Sequence, residues 1–361
     1  MNVAIASLDE DWRAAEFAQF AQLPDARLNR RLTEILSVFA RHSYVSIPQA
    51  CGSVASAKAT YRFFDNRRVT IPALLETITA VTASHCRGAA VVLAVHDTTS
   101  MNYSKLTKTT GLGPIGSSET AKGLYVHTSL ALRPDGLPIG LLHQETWSRP
   151  PGKRTTDHHQ LPIEEKESCK WFDGIAGTEM AFEQLPADER PRVIHLMDRE
   201  GDIHEVLEAI VDSPDGAVIR CTHNRVIDDP IGHAHDAVAA APRLGTKKID
   251  VPAQHGHRKR TAIVELRSIT TEIVPTRKHP WQADREPFTC SLVEVREVNP
   301  PDGVEPLHWL LWTTEPAVTL DESIEILRLY KLRWRIEDFH LAIKSGCRVE
   351  ALELEDRKSV V

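Results

Sequence analysis

The chain has 361 residues, 42% of them hydrophobic and 26% charged, an ordinary globular make-up with room for more than one structural unit. No apolar run approaches the roughly 20 residues that a bilayer-spanning helix needs, and MNVAIASLDEDWRAAEF lacks the basic region of a secretory signal, so no membrane role and a cytoplasmic location are expected. A formal net charge of −7 excludes a globally basic nucleic-acid binder, and any such role must rest on local patches.

Residues 1–70 read as a helical unit. A stretch around Trp12–Phe20 precedes LNRRLTEILSVFARH, where Leu32, Ile35, Leu36 and Phe39 recur at helical spacing. Basic residues collect here: Arg27, Arg30, Arg31, Arg41, Lys58, Arg62, Arg67 and Arg68 outnumber Asp25, Glu34 and Asp65. The plain alternative is a solvated helix face. SIPQACGSVASAKATYRFF then suits a helix that can lie against DNA.

Residues 71–225 change character. AAVVLAVHD is an apolar run ending in Asp97, as a strand buried on both faces would look, and turn-rich sequence follows it. LYVHTSLALRPDGLPIGLLHQE predicts a hairpin about Pro-Asp-Gly. A helix is expected within IEEKESCKWFDGIAGTEMAFEQL, then the strand RVIHLMD ending at Asp198, the helix DIHEVLEAIVD and the strand GAVIRCT. Strands alternating with helices behind a hairpin predict an α/β fold with a mixed sheet. Residues 226–310, with alternating runs such as TAIVELRSITTEIV, predict an antiparallel β insertion. It includes a basic turn at 255–260, which reads as a DNA contact or an exposed loop. Within 311–361, LDESIEILRLYKLRWRIEDFHLAIKSG has an acidic start, apolar periodicity and a terminal glycine, and predicts one helix.

Asp97 and Asp198 end predicted strands, where ligands of open α/β sheets collect. On the late helix Tyr330, Arg333, Glu337 and Lys344 share one stripe, amid Leu329, Leu332, Trp334, Ile336, Phe339 and Ile343. The plain alternative is an exposed face with an ordinary Arg333/Glu337 ion pair. Three carboxylates suit Mg2+ or Mn2+, hard ions with oxygen ligands. A pair of such ions can serve in-line phosphoryl displacement. Histidine-rich zinc is the competing metal, but His96, His127, His158, His159, His195 and His204 form no metal-binding spacing, and in a strand His96 points away from Asp97. The six cysteines lie far apart without a C-x-x-C pair, so neither structural zinc nor disulfides are expected.

Taken in order, VHDTTS around Asp97, GLLHQETWSRP at 140–150, EKESCKW at 165–171, MDREGDIH around Asp198, and Tyr330, Arg333, Glu337 and Lys344 at their spacing resemble the insertion-sequence-four group of bacterial DDE transposases, from about Trp12 to about Gly346. The resemblance implies a ribonuclease-H-like mixed sheet with flanking helices, an antiparallel β insertion, and a helical N-terminal domain that reads transposon ends. It implies Asp97, Asp198 and Glu337 as ligands of two Mg2+ or Mn2+ ions. Tyr330, Arg333 and Lys344 would hold phosphates and a displaced base, with Trp309 serving a DNA hairpin intermediate or the core of the insertion. Arg220, His223 and Arg225 would contact backbone phosphates, and Arg27, Arg30, Arg31, Lys58 and Arg62 are the candidate contacts of the N-terminal unit. The partners implied are double-stranded DNA with terminal inverted repeats and a second copy of the chain, in a bacterial, nucleoid-associated setting. Leu341 stands where the family has a basic residue. The family also continues through further helices that pair two subunits, whereas this sequence stops at ELEDRKSVV. The alternatives expected are therefore a truncated DNA-binding remnant or inhibitor without cleavage activity, and a metal-dependent nuclease unrelated to transposition.

Overall fold

The computed structural model describes residues 10–42, 44–117, 120–152, 161–251, 259–278 and 282–352. Four helices come first, α1 (Glu10–Phe20), α2 (Ala26–Arg41), α3 (Ile47–Cys51) and α4 (Val54–Phe64). Local chemistry sets their starts. Asp25 accepts from the Arg27 backbone N–H, Ser46 and Gln49 form a capping box, and Ser53 accepts from Ser56. Their small core of Leu23, Leu32, Ile35 and Phe63 also takes in Ala73 and Leu74 of α5 (Ile71–Cys86), which anchors the unit to the remainder.

Among the described residues ten strands form one sheet. They are β1 (Val91–Asn102), β2 (Gly113–Pro114), β3 (Lys122–Leu132), β4 (Pro138–Trp147), β5 (Arg192–Met197), β6 (Gly216–Arg220), β7 (Gly245–Val251), β8 (Arg260–Ile273), β9 (Phe288–Val298) and β10 (His308–Thr313). Their order is β2-β3-β1-β5-β6-β10-β9-β8-β7, with β4 also on β3. β5 and β6 run parallel to β1, and the remaining pairings are antiparallel. The fold is thus a mixed α/β fold, as expected.

The two-residue period of a strand divides its side chains between two layers. Leu93 and Val95 of β1 and Ile194 and Leu196 of β5 pack under α9 (Leu320–Leu332) and α10 (Arg335–Leu341). Val92, Ala94 and Val193 face the other way, against α5 and α6 (Lys170–Glu183), and farther along α7 (His204–Val211) and α8 (Ala234–Ala240) share a core with Met197, Ala217 and Ile219. Continuing the alternation puts Asp97 and Asp198 on the α9–α10 side, and His96 and His195 behind them.

Residues 226–310 carry antiparallel strands, and because β10 pairs with β6 the strands β9, β8 and β7 continue the same sheet. Two expectations change. β1 does not end at Asp97 but runs on to Asn102, because β3 offers an antiparallel partner as far as Gly123. The late helix is not continuous. At Arg333 and Trp334 the backbone tightens, with Arg333 N bonded to Tyr330 O and Ile336 N to Arg333 O, where a buried guanidinium and a 40% exposed Trp334 must leave adjacent positions. Beyond α10, Ala342–Gly346 widens into a π turn.

Candidate functional site

Register brings the first two carboxylates together. β1 and β5 pair as far as Val95 and Leu196, so Asp97 and Asp198 each lie two residues beyond the last paired position, on one face. Asp198 caps the short turn Arg199–Gly201, its Oδ1 accepting from Glu200 N at 2.8 Å. Burial pushes its carboxyl above the usual range and the neighbouring Asp97 charge adds to this, against the Glu200 N–H and the Arg333 guanidinium. His340 of α10, 5% exposed, places Nδ1 3.4 Å from Asp97 Oδ2.

Glu337 belongs to the same neighbourhood but is held by another partner. Arg333 Nη2 donates to Glu337 Oε1 at 2.6 Å. Burial pulls the Arg333 pKa down, yet Tyr330, Glu337 and Asp97 together raise it above its ordinary value, so the guanidinium is the counter-charge of the whole group. No three His, Cys, Asp or Glu side chains among the described residues stand close enough to hold one metal ion. Asp97 and Asp198 thus stand close together on one face, while Glu337 lies beside them paired with Arg333, one turn earlier on the same helical segment.

Other predicted residues assemble next to this group. Trp309 of β10 meets the Tyr330 ring edge-on, with centroids 5.6 Å apart. Arg220 at the end of β6 lies 5.8 Å over the Trp309 ring and donates to His308 O at 2.6 Å. Lys344 Nζ donates to Thr99 Oγ1 at 2.6 Å, which brings it onto the same face of β1 two residues past Asp97.

Arg225, an expected phosphate contact, is engaged within the fold. Its Nη2 is 2.5 Å from Oδ1 of buried Asp202, whose other oxygen accepts from Thr222 N and His223 N at 2.6 and 2.8 Å. A carboxylate enclosed by the fold needs these donors, so Arg225 ties two loops together. The His223 side chain stays exposed. It lines a polar cleft of about 370 Å3 beside the Asp198 loop, together with Arg149, Lys166, Lys170 and Arg199. These cations were missed as site residues, although GLLHQETWSRP and EKESCKW supply three of them. Inside the cleft Glu167 is matched by Arg149 and Glu200 by Lys170.

On the N-terminal unit Arg27 pairs with Asp25 and Arg31 with Glu34, whereas Arg30, Lys58 and Arg62 are exposed. Of the other polar residues noted, His158, His159 and 255–258 of the basic turn lie outside the described residues, and Arg260 pairs with Glu297. All six cysteines are free. Among the described residues no helix is long and apolar enough to cross a membrane.

Residues 9–69 match the family model described as transposase DNA-binding. The matched span takes in α1 to α4 and every exposed cation just named, which supports a transposase that binds DNA.

Proposed function

We propose that the chain is a cut-and-paste DNA transposase of the insertion-sequence-four type, with Asp97, Asp198 and Glu337 as the ligands of two divalent ions. The observation that carries this is the approach of Asp97, on β1, to Asp198, one residue past the end of parallel β5, beside Arg333 and Glu337. Antiparallel β4, β3 and β1, followed by β5 and β6 parallel to β1, support a ribonuclease-H-like core.

The donor set suits hard cations. Two carboxylates sit side by side, and burial together with mutual repulsion destabilises the ionised form of Asp198, a cost that a cation would offset. When bound, Mg2+ or Mn2+ supplies an activated water or hydroxyl and stabilises charge on the phosphoryl oxygens. The chain's own residues do the rest. Arg333 and Lys344 bind phosphate oxygens, a role in which Arg333 exchanges its Glu337 partner for DNA and frees that carboxylate for the site. Tyr330, Trp309 and Arg220 offer aromatic faces and a cation to a base displaced from the duplex. α1 to α4 hold the terminal inverted repeat, and a second copy of the chain on the other end is the partner this entails.

A second reading, a DNA-binding remnant or inhibitor without cleavage, is favoured by one observation, the Arg333–Glu337 pair that keeps the third carboxylate apart. A supercoiled plasmid carrying the genomic DNA on both sides of the coding frame separates the two. The transposase nicks it at the element ends only with Mg2+ or Mn2+, leaving 3′-hydroxyls. The remnant shifts the same DNA on a gel and leaves it whole.

A further inference from the structure

Behind the two aspartates, on the opposite face of the same strands, lies a chain of imidazoles that the proposed chemistry does not use. His96 and His195 are 0% and 1% exposed, and His96 Nε2 stands 2.9 Å from His195 Nδ1. At one end Ser129 Oγ is 2.9 Å from His96 Nδ1, and at the other Asp215 Oδ2 is 4.0 Å from His195 Nε2.

One hydrogen bond joins the two rings whichever of them donates, and Ser129, whose hydroxyl also reaches Gly174 O at 3.3 Å, closes the His96 end. Helix α6 closes on this chain so tightly that a Cβ on Gly174 would meet His96 Nδ1 at 2.8 Å.

The position of the pair matters. The β1–β5 ladder stops at Val95 and Leu196. Beyond it Asp97 is registered with Thr128 of β3, and Met197 with Ile219 of β6, so each strand follows a different neighbour. The His96–His195 hydrogen bond is a side-chain tie across β1 and β5 where their backbone ties end, one residue before Asp97 and three before Asp198.

We propose that His96 and His195, bounded by Ser129 and Asp215, form a positioning strut that sets the separation of Asp97 and Asp198 and thereby their affinity for a divalent cation. The proposal rests on the cation-site reading above. Two measurements on the full chain test it. Nitrogen-15 spectra of labelled histidines should report the same tautomer for both rings, as one bond between His96 Nε2 and His195 Nδ1 requires, and opposite tautomers overturn the strut. Mn2+ titration, followed by the paramagnetic resonance of the free ion, should then weaken by about tenfold in His96→Leu/His195→Leu, the lower end of what supporting partners of metal ligands contribute. Replacing both partners leaves no unpaired buried nitrogen, so the thermal midpoint should stay near that of the parent. His96→Gln retains an N–H toward His195 and should restore most of the affinity. Parent-like Mn2+ affinity in the double variant, or in Ser129→Ala should the double variant not fold, overturns the strut. If the parent chain binds no Mn2+, or binding survives Asp97→Ala/Asp198→Ala, the cation-site reading itself falls and the strut with it.

Discussion

The N-terminal helices and the sheet use the same cationic side chains to opposite ends. On α2 and α4, Arg30, Lys58 and Arg62 are exposed, and among the described residues no carboxylate pairs with them. In the sheet domain Arg149, Arg192, Arg225, Arg260 and Arg333 each engage a carboxylate, and Asp202 and Glu297 are themselves buried. A guanidinium whose charge is matched inside the fold adds little to an external field, whereas an unmatched one on a helix face attracts phosphates and releases counterions on binding. DNA affinity should therefore belong mainly to the first region and cleavage to the second.

The largest expected effect separates those two properties. Asp97→Ala or Asp198→Ala should lower divalent-metal-dependent nicking by about a thousandfold or more, since several kcal/mol of transition-state stabilisation are removed. Gel-shift affinity for the same DNA should not change. Nicking that persisted in either variant would break the division at its stronger half.

Next in size is a purely structural loss. Asp202→Ala leaves the Arg225 charge and the Thr222 and His223 N–H groups without their acceptor, and a broken buried pair costs about 3–5 kcal/mol. The urea midpoint should fall accordingly, while the salt dependence of DNA binding in the surviving folded fraction stays as it was. A changed salt dependence would return Arg225 to the DNA interface. The opposite pattern is expected on α4, where Lys58→Ala/Arg62→Ala should flatten the plot of log affinity against log salt by about 0.9 for each phosphate no longer neutralised. Thermal stability should hardly move, because both side chains point into water.

How far the sequence foretold this division depends on how local the signal is. Alternation along VVLAVHD and RVIHLM was enough to assign Asp97 to one face and His96 to the other, since a strand's side-chain period is two. The i, i+4 spacing of Arg333 and Glu337 announced their ion pair. What stayed hidden was set by partners remote in sequence. β1 runs past Asp97 because β3 continues beside it, and Arg225 turns inward because Asp202, 23 residues earlier, needs a donor. The break at Arg333 carries no proline or glycine to mark it. It arises where one side chain is buried and the next is not, which only the packed helix discloses.

The smallest expected effects sharpen the same contrast through two aspartates. Asp25, capping α2, has its pKa depressed to about 2, chiefly by the side-chain bond from Arg27. A carboxyl held below its unfolded value stabilises the fold above that value and loses the contribution as pH falls through the folded pKa. Asp25→Asn should therefore lower the thermal midpoint at pH 7 and have progressively less effect toward pH 2. Asp198 has the reverse sign, its pKa raised first by burial and then by Asp97. Its contribution is complete below the unfolded carboxyl value and is lost as pH rises through the folded one, so at neutrality the ionised group weighs against folding. Asp198→Asn, which can still accept from Glu200 N, should raise the midpoint at pH 7 and leave it nearly unchanged below the carboxyl range. A lowered midpoint at pH 7 would mean that attraction to Arg333 outweighs burial and the Asp97 charge, and that the paired aspartates have their counter-ion without any metal.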